Sequence, residues 1–547
     1  MRKHFLAVLF PLAALAADVQ APPRVGVGVI ERKLPLKDAI EMALKNNLEV
    51  EIERTNISSA QQSLNAAKGT FDGFFRWLPG YEHRNTPTAS ILLGAGGKLA
   101  ESFHNENFAY QQRLNWNGAS FQAGFDNSRQ TTTNPFSGLN PATQSRLAFT
   151  FTQPLWRNRL IDRERAEIQI RSKQINVSQA DLEVRVMDVV TRVVTAYWDL
   201  VAARQDVDVK ADGVRWAEEQ LGRTARMIDS GSLAPIEKSA AEAELQRRMD
   251  TYYASVGFVT EAENALKTLI AGNRQDELWN DVLIPVDQDD APSRAPDDVK
   301  AAVTEAVSKR PELKSLTLRK DSNDVQKAQA LDQLKPQINL VGTYANTGLA
   351  GSVSSAENPF TASSLAQAVR INELSTRAGL PPLPSNSLGG APGGLIGGYA
   401  TTLSNLFGGN YQTAIVGLQM DWNPRNRTAQ ANVQQTVISE RRLQLDRSRI
   451  EQAISAQVRN SLQAIQTAKQ RIVAAEASAK AAKDKLDSET RLFQNGESTN
   501  FFVLTRQNEY TDSLRRVLVS RLDLNKAVAR LWQAMGTTLE VHNVTVK

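Results

Sequence analysis

The feature that most constrains this chain is a long helical pattern that occurs twice. From Asn158 to Leu269 roughly 70 residues keep helical spacing, a glycine interrupts, and about 35 more follow. The same order recurs from about Pro424 to Met535. The interruptions read Arg226-Met-Ile-Asp-Ser-Gly231-Ser and Arg491-Leu-Phe-Gln-Asn-Gly496-Glu, 265 positions apart. Glycine ends a helix in a left-handed turn at little steric cost, and Ser230 or Asn495 before it suits a tight reversal. Each copy is therefore predicted to be a very long helix, a sharp turn and an antiparallel return helix. At 1.5 Å per residue the longer member spans about 105 Å, far more than an ordinary globular core requires.

Each long run follows a shorter helix and a stretch of alternating residues. Leu36 to Lys45 has apolar residues at helical spacing, and a further helix through Ile52, Ile57, Ala60, Leu64 and Ala67 ends near Gly69. Trp77-Leu78-Pro79 then breaks the helix. In Arg146 to Pro154 the residues Leu147, Phe149 and Phe151 alternate with Ala148, Thr150 and Thr152. Phe108 to Trp116 and Ser120 to Phe125 read similarly around Asn117-Gly118, a hairpin signal. The second half repeats the order. Val299 to Leu313 mirrors Ala39 to Val50, Leu334-Lys-Pro336 mirrors Leu78-Pro79, and Ile338–Tyr344 and Tyr411–Trp422 are predicted strands. About 65 residues rich in Gly, Ser, Pro and Asn separate those two strands. Such a loop suits the outside of a membrane barrel better than a compact domain.

An internal duplication follows. Its boundaries read as a signal peptide over 1–16, an extended tail over 17–35, a first repeat over 36–278, a linker over 279–298, a second repeat over 299–536 and a C-terminal tail over 537–547. The signal peptide rests on Met1-Arg-Lys, the apolar stretch Phe5 to Leu15, and Ala14-Leu15-Ala16 as a small-x-small cleavage site. Elsewhere no run of 18 apolar residues occurs, so an exported chain of this kind crosses a membrane only as a barrel. The first repeat offers two or four strands, since an even number returns the chain to its starting side. Two are favoured, the second being Thr143–Gln153, with the Asn117-Gly118 hairpin as an outer decoration.

Other classes find little support. The formal charge of +5 is evenly spread, with no basic run interleaved with aromatics, so nucleic acid is not expected as a partner. The absence of cysteine excludes disulfides and zinc–thiolate sites. No His/Asp/Glu cluster has metal spacing and no Gly-x-Ser-x-Gly elbow occurs, so neither catalytic residues, metal nor cofactor are expected. Gly94-Ala-Gly-Gly-Lys98 lacks the spacing of a phosphate loop, and Asp287-Gln-Asp-Asp290 reads as a solvated linker.

Leu36-Lys-Asp-Ala-Ile-Glu-Met-Ala-Leu-Lys-Asn-Asn47, Gln153-Pro-Leu-Trp156 and the two glycine turns, taken together, resemble the TolC-like outer-membrane efflux proteins. The resemblance covers the whole mature chain. It implies a mainly α protein with membrane β structure: a homotrimer giving four strands per protomer to one outer-membrane β-barrel of twelve strands, continued by a long periplasmic α-helical barrel. It also implies outer-membrane lipid around the barrel, and a periplasmic adaptor (membrane fusion) protein and an inner-membrane pump at the glycine tips. A trimeric coiled-coil stalk is the alternative for the long helices, although it would not need strand pairs between them.

The tips then carry the candidate site. Ser230, Gly231, Ser232, Asn495, Gly496 and Glu497 form the expected adaptor-docking surface. The resemblance implies acidic side chains just inside the turns, lining a closed aperture. Glu237 occupies such a place, six residues after Gly231, and fits a solvated helix N-terminus equally well. In the second copy the matching position is Phe502 and the next inward candidate is Thr505, so a multi-ring acidic lining is incomplete. Phe501 and Phe502 suit either an apolar plug, which gates by dewetting, or helix packing. Arg226 and Asp229 are candidates for an ionic latch. Whether the gate is acidic or apolar stays open at this level.

Overall fold

A computed structural model describes residues 24, 28, 30–89, 97–287, 298–356, 359–383 and 391–546. The expected signal peptide lies outside the described residues, as do Gly94 to Gly96 and Gln288 to Asp290. Two compact units are present. One comprises the described residues of Met1–Ala60 with Ile175–Arg319 and Arg442–Lys547; the other comprises Gln61–Gln174 and Lys320–Arg441.

The first unit is helical. Helix α1 (Leu36–Asn46) is followed after Asn47 by α2 (Leu48–Lys68), and α3 (Arg163–Asp229) runs unbroken to the first glycine turn before α4 (Ile236–Ile270) returns. The second copy gives α5 (Val299–Lys309), α6 (Pro311–Asp332), α9 (Arg427–Gln494) and α10 (Asn500–Met535). The paired lengths, 67 against 68 and 35 against 36 residues, match the duplication. Alanines let the short helices approach closely. Ala39 and Ala43 of α1 pack with Val190, Val193, Tyr197 and Leu200 of α3 and Leu266 and Ile270 of α4. Ala302 and Ala306 of α5 pack likewise with Ile454 and Val458 of α9 and Leu531 and Ala534 of α10. Each large aliphatic so buried contributes about 1.5–3 kcal/mol.

Beside the first core, β1 (Glu31–Leu34) pairs in parallel with β6 (Val282–Pro285). The expected extended tail and the expected linker are thus joined in a small sheet. The buried Tyr197 hydroxyl donates to the Asp287 carboxylate at 2.5 Å and accepts from the Val286 N–H at 3.1 Å. Burial, then the neighbouring Asp287, push its pKa well above the usual range. Glu263 and Lys267 form a fully buried ion pair at 2.7 Å on α4. Arg24 reaches the other Glu263 oxygen at 2.8 Å, and the Lys267 ammonium also donates to the Trp279 and Asp281 carbonyls at 3.0 and 2.6 Å.

The second unit is built on one antiparallel sheet of six strands in the order β2-β3-β4-β5-β7-β8. These are β2 (Phe74–Pro87), β3 (Lys98–Arg113), β4 (Ser120–Thr132), β5 (Leu139–Pro154), β7 (Gln337–Val353) and β8 (Gln412–Asp421). This corrects the expected four strands per protomer: the first repeat supplies four and the second two. The Asn117-Gly118 hairpin is part of the sheet rather than an outer decoration. Its turn has positive φ at both residues, 48° and 70°. The turn also points toward the end where the helices join, for the Gln153 side-chain amide donates to the Asn117 carbonyl at 3.0 Å. A Cβ on Gly118 would stand 2.4 Å from the Asn158 carbonyl, so only glycine admits this approach. The stretch between β7 and β8 is also more ordered than expected, holding α7 (Pro359–Arg377) and α8 (Tyr399–Phe407).

The register sorts the side chains into two unlike faces. Opposite partners on one face include Phe75 and Tyr110, Trp77 and Phe108, Phe108 and Phe125, Phe121 and Phe151, Phe149 and Tyr344, and Leu340 and Leu418. The aromatic rings stack across strands, Phe108 on Phe125 at 6.5 Å and Phe121 on Phe149 at 6.2 Å. The other face pairs Arg84 with Glu101, Gln111 with Gln122, Asp126 with Arg146 and Thr150 with Thr343. No helix among the described residues is long and apolar enough to cross a membrane.

The buried pair gives a first prediction. Lys267→Ala leaves Glu263 inside the helical unit with Arg24 alone, at a cost on the order of 3–5 kcal/mol. The expected readout is a lowered thermal midpoint of the far-ultraviolet helix signal; an unchanged midpoint would refute it.

Candidate functional site

Both glycine turns close by the same bonds. After α3, the N–H groups of Gly231 and Ser232 donate to Ile228 at 2.9 Å and Met227 at 2.8 Å. After α9, those of Gly496 and Glu497 donate to Phe493 at 3.1 Å and Leu492 at 2.9 Å. Both glycines are left-handed, with φ of 75° and 80°, and the surrounding space is open. These are Schellman ends, which satisfy the carbonyls that each helix leaves behind. Ser230 adds a bond from its hydroxyl to the Met227 carbonyl at 3.0 Å and faces Ser232 at 3.1 Å. Ser230, Gly231, Ser232, Asn495, Gly496 and Glu497 are all exposed.

Glu237 lies in the first turn of α4, half-buried and without an ion pair among the described residues. Phe501 and Phe502 stand in the first turn of α10, exposed, with their rings edge to face at 5.7 Å. Within one protomer they are therefore not packed into a core. The Thr505 hydroxyl bonds back to the Phe501 carbonyl at 2.8 Å. Arg226 is exposed, its guanidinium lying over Gly222, and no ion pair joins it to Asp229. The structure thus brings the turn residues together as expected and leaves the Arg226–Asp229 latch unformed.

Polar residues that the sequence reading did not single out fasten one hairpin to the other. The Gln220 side-chain amide of α3 donates to Asn500 of α10 at 2.7 Å in a buried contact. Arg248 of α4, also buried, bonds Glu244 at 2.8 Å, the Gly213 carbonyl of α3 at 2.8 Å and Asn508 of α10 at 3.1 Å. Burial alone would raise the Glu244 pKa, but the bonds from Arg248 and Arg247 outweigh it and hold the carboxyl below its ordinary range. No local sequence signal marks these residues, since the Gln220–Asn500 and Arg248–Asn508 partners lie 280 and 260 positions apart. Farther along the same unit is a cleft of about 1220 Å³, lined by Arg185, Asp188, Arg310, Arg319, Asp446 and Arg449 among others. Its acids and bases are intermixed, and no metal-holding cluster exists among the described residues.

With this geometry in hand, the chain can be set beside known proteins. Residues 118–272 match the family model described as outer membrane efflux protein. The fold is similar to the outer-membrane channel OprN, with a TM-score of 0.61, 12% identity, and coverage of 92% of this chain and 90% of that one. It is likewise similar to the CmeC outer membrane channel of Campylobacter jejuni, with a TM-score of 0.60, 13% identity, and coverage of 92% and 86%. VceC of Vibrio cholerae gives a TM-score of 0.59, 12% identity, and coverage of 92% and 96%. No curated protein matches the chain in sequence. Family match and fold together support an outer-membrane efflux channel. They bear out the resemblance to the TolC-like outer-membrane efflux proteins.

Two outcomes follow for the tips. Gly231→Val or Gly496→Val meets no steric block but forces a branched residue into the left-handed region, at about 1–3 kcal/mol. The amides of Ser232 or Glu497, which close the turns, should then exchange hydrogen faster while total helix content holds. The second outcome concerns pH. A carboxyl whose folded pKa is lowered stabilises above its unfolded pKa, and that contribution is lost as pH falls through the folded value. Glu244→Gln should therefore destabilise the protein at neutral pH by on the order of 1–3 kcal/mol, read as a lowered melting point, and the difference from the parent should vanish below the ordinary carboxylate range. A gap that persists in acid would show that Glu244 does not act through its charge.

Proposed function

We propose that this chain is the outer-membrane exit duct of a tripartite efflux or type I secretion system. It acts as a homotrimer that passively conducts cargo, delivered by an inner-membrane pump, to the exterior. The observation that carries this reading is the six-stranded sheet with two bare edges and one apolar face. An open strand edge in hydrocarbon leaves unpaired N–H and C=O groups costing several kcal/mol each, so the sheet must close on further copies. The alternation of all six strands makes β8 of one copy antiparallel to β2 of the next, so head-to-tail pairing closes without a reversal. With three copies the shared barrel has eighteen strands, not twelve. Exposed Val437, Ile438, Leu445 and Val473 on α9 support the same conclusion, offering apolar positions to a neighbouring helix.

The tip residues take their roles from this reading. Ser230, Gly231, Ser232, Asn495, Gly496 and Glu497 meet the periplasmic adaptor. Phe501 and Phe502, exposed in one copy, converge with their counterparts as an apolar constriction, with Thr505 one turn inward. Glu237 supplies an acidic ring that favours cations, and Arg226 and Asp229 stand at the rim as partners for a neighbouring copy. Opening follows relative movement of the two hairpins, which the Gln220–Asn500 and Arg248–Asn508 bonds hold together.

The test combines conductance with cross-linking. Purified protein in a planar bilayer should give small, cation-preferring currents, and Glu237→Ala should lower the cation preference severalfold. A cysteine at Trp77 on β2, scanned against cysteines at Val416, Leu418 and Met420 on β8, should give covalent dimers and trimers in this cysteine-free chain. Soluble rods with neither currents nor cross-links would overturn the duct in favour of a stalk.

A further inference from the structure

Helix α8 is amphipathic in the inverse sense. Thr402 and Leu406 are fully buried against the sheet, and the polar groups on that side bond to it: Thr402 to the Thr143 carbonyl at 3.3 Å and Asn405 to the Leu349 carbonyl at 2.9 Å. The Asn346 side-chain amide donates to the Leu406 carbonyl. Gly348 makes the approach possible, because a Cβ there would lie 2.0 Å from the Thr402 carbonyl oxygen. The stripe beside it, by contrast, is apolar: Tyr399, Leu403 and Phe407 recur at helical spacing, Leu403 half-buried and Phe407 71% exposed, with Ala400 and Ser404 also exposed next to them. In water such a helix would be expected to turn that stripe inward.

The position of α8 on the sheet explains the inversion. Register places Ser145, Thr143, Asn346 and Gly348 on the same face as Phe149, Phe151 and Tyr344, so α8 rests on the aromatic face, beyond its aromatic part. At the opposite, helix-bearing end, Trp116, Trp156 and Trp422 are exposed, as in one interfacial girdle of a membrane barrel. A strand tilted as in such barrels climbs about 2.5 Å per residue, so a lipid-facing band about 25 Å tall takes roughly ten residues. From Trp422 that distance along β8 and its partner β7 reaches Asn346, where α8 lies. There the strands themselves are polar, and the Tyr399 hydroxyl bonds Asn127 at 2.9 Å while its ring stays half-exposed.

We infer that α8 is an interfacial helix that embeds Tyr399, Leu403 and Phe407 in the outer leaflet of the membrane and supplies the second aromatic girdle of the barrel. This rests on the reading of the aromatic face as lipid-facing, with which α8 is continuous. The partner is the acyl-chain boundary of a lipid surface, contacted without charge recognition.

Single cysteines test it, since the chain has none of its own. Phe407→Cys on α8, Phe149→Cys on the aromatic face and Gln122→Cys on the polar face each receive a nitroxide spin label. The full-length protein is reconstituted in phosphatidylethanolamine–phosphatidylglycerol vesicles. The ratio of collision rates with oxygen and with a water-soluble nickel chelate is then measured. The inference expects the Phe407 label to give a ratio severalfold above the Gln122 label and nearer to that of Phe149, at a shallower depth. A Phe407 label open to nickel, or shielded from both reagents by protein, overturns the inference while a lipid-exposed Phe149 label leaves the barrel reading standing. A water-exposed Phe149 label overturns both, and so tells the two failures apart.

Discussion

Backbone N–H and C=O groups must find partners, and that one constraint governs the sheet unit. Inside the sheet each strand satisfies its neighbour, but the outer edges of β2 and β8 cannot be satisfied within a single copy. Phenylalanine, tryptophan and tyrosine crowd one face, while the opposite face carries the Arg84–Glu101 and Thr150–Thr343 pairs, a division that the proposed lipid-facing barrel wall accounts for. Both edges of the sheet are left open, as the proposed closure on further copies requires.

The helical unit obeys a different rule. Its long helices are stabilised by burial rather than by capping, through seams of alanine and valine that repeat in both halves. Although Thr224 and Asn525 are buried there without a hydrogen-bond partner among the described residues, the charged groups that enter these seams are paired. The Glu263–Lys267 pair, with Arg24 and two carbonyls, is one such case, and Arg248 with Glu244 and Asn508 is another. The second lies in the hairpins that would have to move during opening. Polar contacts of that kind hold a geometry through direction, and can be exchanged for water without the penalty that opening an apolar core would carry.

Much of this was legible in the sequence, for identifiable reasons. Helices of nearly seventy residues leave a periodicity that no short-range preference can mask, and a left-handed glycine before a second helix marks the turn almost by itself. Period-two alternation found β5 and β7, whose faces differ sharply in polarity. The hairpin of β3 and β4 was legible around Asn117-Gly118, but its place in the sheet was not, since Glu106, Asn127 and Arg129 fall on the otherwise aromatic face. The pairing of Glu31–Leu34 with Val282–Pro285 depends on partners some 250 positions apart, and so left no local trace. At the tips, the turns themselves were readable, whereas Gln220, Arg248 and Asn508 become meaningful only once two hairpins are laid together. Arg226 and Asp229 are close in sequence, yet proximity of that sort does not oblige opposite charges on an exposed helix end to pair.

The hairpin turning at Asn117-Gly118 has a consequence for how such channels can diversify. A hairpin is the smallest insertion that leaves the chain on the side from which it set out, so the helices on either side need not change their order or direction. In the proposed trimer one hairpin adds six strands at once, and barrel diameter rises roughly in proportion to strand number. On that reading pore calibre can evolve in discrete jumps by short insertions in the sheet, independently of the glycine turns at the far ends of the long helices.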